Sequence, residues 1–278
     1  MPSELEYVLG THDDELTRLG IQHRAWRSEV LAAWQSAGIG RGQTVLDLGC
    51  GPGYAALDLA ELVGPSGRVI AVDKSERFLQ ALDAWRRERN LTNITTRQID
   101  LDESEFPGRL RGDLSLDAIW CRWVFAFVRK PRDIVARLAS ALRPGGSAVV
   151  HEYFHYSTWR TAPRCAELEQ FVGSVMKSWR DSGGEPDIAL SLPGWFEENG
   201  LELRTLRPIV DIIRPDHPKW EWARSFLKVG RQRLIDLGYM SAEDAEAVWN
   251  AFVAMEAAPG TRLITPAVLE IVAAKPRK

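Results

Sequence analysis

The sequence predicts an α/β fold: a doubly wound, mostly parallel seven-stranded sheet with a helical N-terminal cap and helical insertions over one end. Three observations carry this. Residues 45–53 read Val-Leu-Asp-Leu-Gly-Cys-Gly-Pro-Gly, an apolar run breaking into alternate glycines, which is how a buried parallel strand hands over to a helix. A second apolar run closes on an acid at Asp73. Further strand-like runs alternate with helix-length segments, and right-handed crossovers then place every ligand-facing turn at the carboxyl ends of the strands.

In chain order, residues 1–40 form the cap. Leu16, Leu19, Trp26, Val30, Leu31 and Trp34 recur at three- and four-residue intervals until Gly38 and Gly40 stop the pattern. Residues 41–152 hold the binding core. After strand 1 comes strand 2, residues 68–73, and then a helix that Ser75 can N-cap and that runs to Asn90. Strand 3 ends in Gln98-Ile99-Asp100-Leu101, and strand 4 lies within residues 116–127. Pro131 opens a helix that Gly145 is expected to end, followed by strand 5 at residues 147–152. Residues 153–187 read as a helical lid insertion. Residues 188–213 return to the core with a helix at 193–199 and strand 6 at 201–213. Residues 214–260 form a second helical insertion, and residues 261–278 carry the last strand, 262–273.

A chain of 278 residues, 45% hydrophobic and 26% charged, has the balance of a water-soluble globular protein and suits one elaborated domain. No stretch approaches the roughly 18 uninterrupted apolar residues of a membrane span. The start, Met-Pro-Ser-Glu-Leu-Glu, lacks the basic-then-apolar pattern of a secretory leader, so a cytoplasmic location is expected. Cys50, Cys121 and Cys165 form no metal or disulfide pattern, and no metal is expected. A net charge of −3 argues against a nucleic-acid partner. The basic clusters at Arg86, Arg87 and Arg89 and at Arg129, Lys130 and Arg132 have acids close by, as solvated helix faces do. The sequence leaves a homodimer open.

The glycine loop points to a nucleoside ligand, with Asp73 placed to accept both hydroxyls of a ribose. Gly49, Gly51 and Gly53 do not give the Gly-x-Gly-x-x-Gly spacing of a dinucleotide loop, and no Lys-Ser/Thr follows as a P-loop requires. Asp47, two residues before the first glycine, would repel a pyrophosphate and attract a cation. S-adenosylmethionine satisfies each condition: a ribose, no phosphate, an ammonium and sulfonium for the acidic rim, and a carboxylate for the helix N-terminus.

On these residues the chain resembles class I S-adenosylmethionine-dependent methyltransferases, within the Rossmann-like folds, and in particular the small-molecule group that includes the ubiquinone and menaquinone biosynthesis enzymes. The resemblance covers residues 45–53, 69–73, 98–101, 116–127 and Leu142-Arg143-Pro144-Gly145-Gly146, in the expected order. It implies a cofactor site formed by Asp47, Gly49, Cys50, Gly51, Gly53, Asp73 and Lys74, with Asp100 or the Leu101 backbone at the adenine and Phe78 against the adenosine. Tyr7 and Gln22 in the cap are expected at the cofactor's amino-acid end, and Arg122 either at its carboxylate or paired with Asp47 or Asp100. No Asp/Asn-Pro-Pro-Tyr/Phe follows strand 4, where many enzymes acting on nucleic acid or protein amines carry it; the chain reads Cys121-Arg122-Trp123-Val124.

Eleven tryptophans are present, five of them in the two insertions. An aromatic chamber for a flat or hydrophobic acceptor competes here with simple packing of helices onto the sheet. Trp123, Tyr153 and Phe154, at or just past strands 4 and 5, are expected nearest the substrate. If a general base is used, Glu152 is the first candidate, since strand alternation puts His151 on the opposite face; His155 is the second, and Arg122 is the charged group beside them. The expected activity is methyl transfer to a small, hydrophobic or aromatic metabolite. The rivals are an RNA or protein methyltransferase, a cofactor-dependent enzyme that cyclises or decarboxylates without methylating, and a nucleotide-dependent oxidoreductase of related fold.

Overall fold

The computed structural model describes residues 13–102 and 115–277. A 24-residue helix α1 (Asp13–Ser36) opens it, so the first twelve residues of the expected cap, Tyr7 included, lie outside the described residues. Its buried stripe is Trp26, Val30, Ala33 and Trp34, the three- and four-residue spacing that the sequence displays. Gly38 adopts φ 71° and ends it with its N–H bonded to the Gln35 carbonyl.

The core then alternates: β1 (Thr44–Leu48), α2 (Tyr54–Val63), β2 (Arg68–Asp73), α3 (Glu76–Glu88), β3 (Ile94–Gln98), β4 (Leu116–Arg122), α4 (Pro131–Ala141) and β5 (Leu142–His155). β1 is buried along nearly its whole length because helices cover both faces of a parallel sheet. Ser75 N-caps α3 by accepting from the Phe78 N–H.

After β5 come β6 (Arg160–Ala162), α5 (Ala166–Asp181), α6 (Leu192–Glu198), β7 (Glu202–Ile209), β8 (Ile212–Ile213), α7 (Pro218–Asp236), α8 (Ala242–Ala257), β9 (Arg262–Ile264) and β10 (Ala267–Ala274). The main sheet has seven strands in the order β3-β2-β1-β4-β5-β10-β7. β10 runs antiparallel to both of its neighbours, and the remaining strands are mutually parallel. This is a Rossmann-like arrangement with its first reversal of strand order between β1 and β4.

Four boundaries differ from expectation. The strand expected over 201–213 is two strands, β7 in the main sheet and β8 in a small second sheet of order β6-β9-β8. The strand expected over 262–273 divides likewise into β9 and β10. One clasp makes both breaks: the Thr265 N–H bonds the Asp211 carbonyl and the Asp211 N–H bonds Thr265 Oγ1, each at 3.0 Å. Pro266, without an N–H, cannot continue a ladder there. The third difference is that α4 ends at Ala141, not Gly145, because Leu142 is already extended and Pro144 follows. β5 therefore starts early, and it continues past 152 to His155. The fourth is that residues 153–187 are not wholly helical: they begin as the end of β5 and include β6 before α5.

Buried side chains fall into three groups: one between β4, β5, α4 and α6; one between α1, α2 and the opposite sheet face; and one among α5, α7, α8 and the small sheet. The third is dense in aromatics and stands over the carboxyl ends of β4 and β5, where it bounds the cavity described next.

Candidate functional site

The cavity opens at the carboxyl ends of β1, β2 and β4, at the reversal of strand order, and encloses about 1290 Å³ including its mouth. That volume accommodates a nucleoside-sized ligand with a second small molecule beside it. Its floor is the turn between β1 and α2. Gly49 has φ 65°, and a Cβ there would sit 2.4 Å from Val124 Cγ2, so only glycine fits under the neighbouring turn. Gly51 has φ 54°, and its open side is the cavity, where a Cβ would meet Leu19 Cδ1 at 3.9 Å. The Gly51 N–H donates to Asp73 Oδ2 at 2.9 Å and the Ser75 N–H to Asp73 Oδ1 at 2.8 Å, so Asp73 ties the loop to the end of β2. Burial raises the Asp73 carboxyl above its usual range, against the pull of those two N–H donors.

Asp47 and Arg122 line the same wall and carry its electrostatics. Asp47 Oδ2 and Arg122 Nη1 are buried and have no hydrogen-bond partner among the described residues. Burial pushes Asp47 up to about 7, with Arg122 opposing and Asp73 adding to the shift. Burial likewise lowers Arg122 to about 10, with Asp47 opposing. Buried polar atoms in native structures are almost always paired, so an unpaired carboxylate oxygen and an unpaired guanidinium N–H on two cavity-lining residues suit a ligand carrying a cation and an anion together. An amino-acid zwitterion has that pattern, which is the fit expected for the methionine end of S-adenosylmethionine.

Of the expected cofactor residues, Gln22, Asp47, Gly49, Cys50, Gly51, Asp73, Lys74, Asp100, Leu101 and Arg122 all line the cavity. Gly53 and Phe78 do not. Gly53 caps α2 and packs against Leu82, and Phe78 is fully buried in α3. Cys50 is held firmly protonated by burial, beside Asp73 and Asp47, which suits packing and not nucleophilic attack. The Gln22 amide oxygen is engaged by Arg18 Nη1 at 2.8 Å and Trp222 Nε1 at 3.2 Å, and Arg18 is in turn clasped by Glu15 at 2.6 and 2.7 Å.

Among the expected substrate residues, Trp123 and Tyr153 line the cavity, while Phe154 turns to the opposite side of the sheet and packs in the β4–β5–α4 group. Trp123 is held at φ 54°, in the left-handed region that a bulky residue enters only when its surroundings force it. Its ring stacks between Tyr153 (5.2 Å, 10°) and Trp222 (5.8 Å, 3°). Phe127, Trp179 and Phe226 complete an apolar wall, whereas Trp159, Phe171, Trp220 and Phe252 are packing residues behind it.

The base candidates are corrected by the geometry. Glu152 does not line the cavity. Its carboxylate is fully buried and accepts from the N–H groups of Val124 (2.9 Å), Phe125 (2.8 Å) and Tyr153 (3.2 Å), so it shapes the turn that carries Trp123. His155 is exposed and also lies away from the cavity. Alternation correctly separates residues 151 and 152, but the cavity takes the side chain of residue 153, not 152. His151 is buried with its Nε2 3.1 Å from Glu270. Glu15, Arg18 and Leu19 share a helix face with Gln22, a spacing that could have identified them. Trp179 and Phe226 arrive from distant helices and have no local signature.

Comparison with known proteins agrees with this geometry. Residues 45–146 match the family described as a methyltransferase domain. The chain is 31% identical to the demethylmenaquinone methyltransferase of Lactococcus lactis, over 48% of this chain and 50% of that protein. It is 33% identical to the nocamycin O-methyltransferase of Saccharothrix syringae, over 38% of this chain and 36% of that one. It thus spans half the length or less of these curated relatives. Coclaurine N-methyltransferase, solved with N-methylheliamine and S-adenosylhomocysteine, superposes with a TM-score of 0.58 at 18% identity, covering 89% of this chain and 72% of that one, and so shares the fold. Among the described residues no helix is long and apolar enough to cross a membrane. Glycine turn, acid-ended β2, strand order and sequence match agree: residues 45–146 are similar to the methyltransferase domain family, within a Rossmann-like fold shared with solved methyltransferases.

Proposed function

We propose that this protein transfers the methyl group of S-adenosylmethionine to a small hydrophobic or aromatic metabolite, in the cytoplasm and without a nucleic-acid partner. The observation that carries the reading is the unpaired Asp47 Oδ2 and Arg122 Nη1 in a glycine-floored cavity that continues into an aromatic wall. In this reading Asp47 takes the cofactor's ammonium, Arg122 its carboxylate, Asp73 its ribose hydroxyls, and Asp100 with the Leu101 backbone its adenine. When bound, the cofactor supplies an electrophilic methyl group. The chain's own contribution is to place the acceptor against it and exclude water, and such positioning can supply about 7 to 11 kcal/mol.

No histidine lines the cavity among the described residues. Tyr153, held firmly protonated by burial, is a hydrogen-bond donor to the acceptor and not a base. Catalysis then rests on orientation between Trp123, Tyr153 and Trp179. The test is incubation with S-adenosylmethionine and a panel of phenols, quinols and aromatic amines. S-adenosylhomocysteine should form together with a product heavier by one methyl group. Consumption of an acceptor without a methylated product would sink the proposal and favour a non-methylating reaction.

Asp47 gives a pH dependence to the cofactor step. Its carboxyl titrates at about 7 in the ligand-free protein, and an ammonium beside it favours the ionised form. Affinity for S-adenosylhomocysteine should therefore fall as pH drops through about 7, and binding near that pH should release a proton. Calorimetry in two buffers of different ionisation enthalpy measures this release. Asp47→Asn should abolish it and weaken binding by about tenfold, the loss of one charge-assisted hydrogen bond.

A further inference from the structure

Building on the cofactor site proposed above, we propose that His23 is a positioning residue: its Nδ1 lone pair holds Arg122 so that Nη1 is presented to the cofactor's carboxylate. His23 does not line the cavity. It stands on α1 behind Arg122, with Nδ1 3.4 Å from Arg122 Nη2. On its other side Nε2 lies 3.1 Å from Asp58 Oδ2 on α2, and Asp58 also accepts from Arg27 Nε at 2.7 Å. A carboxylate can only accept, so Nε2 carries the proton and Nδ1 is left as an acceptor facing the guanidinium. The ring plane is fixed by stacking on Tyr54 (6.0 Å, 19°), which itself packs on Trp85.

The arrangement solves a problem that β4 creates. A guanidinium at the end of a buried strand has five N–H donors and few acceptors, and each one left unmade is costly. Trp123 offers Arg122 only a ring face, 5.1 Å away. His23 supplies a neutral acceptor for Nη2 without neutralising the charge. A carboxylate at that position would pair with Arg122 and compete with the ligand.

Protonation of His23 would reverse the effect, because an imidazolium has no acceptor and would face Arg122 as a second cation. The charged or titratable groups around the ring are Arg27 on α1, Asp58 and Tyr54 on α2, and Arg122 on β4. Burial is the largest influence and lowers His23 below 6.5; Asp58 opposes, while Arg122 and Arg27 add to the lowering. The ring is thus neutral near pH 7. As pH falls through the lowered value, cofactor affinity should drop, a step separate from that of Asp47 at about 7. The same group takes stability from the fold as pH falls below about 6.5, where the unfolded chain binds the proton first.

The experiment is calorimetric titration of the full chain with S-adenosylhomocysteine between about pH 8 and about pH 5, with thermal melts to confirm folding. His23→Gln, whose amide oxygen accepts and does not titrate, should bind within about threefold of wild type at pH 8 and keep only the Asp47 step below it. His23→Ala should bind about tenfold more weakly at pH 8. Asp58→Leu is the second variant, since it removes the carboxylate that holds the proton on Nε2 and frees the ring to turn an N–H toward Arg122; it should weaken binding in the same direction as His23→Ala while leaving the ring in place. Wild-type affinity in His23→Ala and Asp58→Leu, or a His23→Gln profile parallel to wild type at every pH, overturns the proposal. Wild type failing to bind S-adenosylhomocysteine at pH 8 overturns the cofactor site itself, a different failure.

Discussion

Asp73→Ala is expected to weaken S-adenosylhomocysteine binding by about 100-fold or more, because the carboxylate serves two purposes at once. It lines the cavity where the proposed cofactor's ribose hydroxyls would need an acceptor, and it already accepts from the Gly51 and Ser75 N–H groups. Removing it leaves the ligand's hydroxyls without an acceptor and frees the glycine loop from β2. Two groups at roughly 1 to 3 kcal/mol each convert to that factor at about 1.4 kcal/mol per tenfold. Asp73→Asn keeps one oxygen acceptor and should lose about tenfold. Calorimetry of both variants, with circular dichroism to confirm folding, tests the ranking. Wild-type affinity in the alanine variant would remove Asp73 from the site.

What could be read from the sequence follows the range of the interaction involved. The β1–α2 turn, Asp73 and the Ser75 cap are local: each is set by residues within a few positions, and the structure forms each where its residues stand. The break at Val210 was not legible, because the clasp joining Asp211 to Thr265 spans 54 residues of chain, whereas Pro266 was a local mark of the second break. The same distinction holds in the cavity. The helical spacing of Gln22 already implied Arg18 and Leu19, whereas Trp179 and Phe226 reach the wall only through packing of α5 and α7. Glu152 is the instructive miss. Alternation fixes which residues share a face but not which face holds the cavity, and the Trp123 turn occupies the space expected for substrate.

Glu152→Ala is expected to destabilise the fold by about 3 kcal/mol or more, because it strips an acceptor from the Val124, Phe125 and Tyr153 N–H groups in a fully buried position. The same turn holds Trp123 at φ 54°, a conformation that costs about 1 to 3 kcal/mol and persists only while its surroundings enforce it. Once released, Trp123 should leave its stack between Tyr153 and Trp222, so turnover should fall further than cofactor affinity. Glu152→Gln separates this scaffold role from a base. Burial raises Glu152 to about 8 against the pull of its N–H donors, and a glutamine keeps one oxygen to accept from Val124 and Phe125 while giving up the acceptor for Tyr153. The sign follows from the raised value: the stability linked to this proton is fully present below about 4.5 and is lost as pH rises through about 8. Urea denaturation across that range should show wild type weakening toward alkaline pH and the glutamine variant lacking that component. Turnover in Glu152→Gln should stay within about threefold of wild type, whereas loss of a general base costs roughly 100-fold or more. A folded glutamine variant with turnover reduced by that larger factor would restore Glu152 as the base and require the Trp123 turn to open during the reaction.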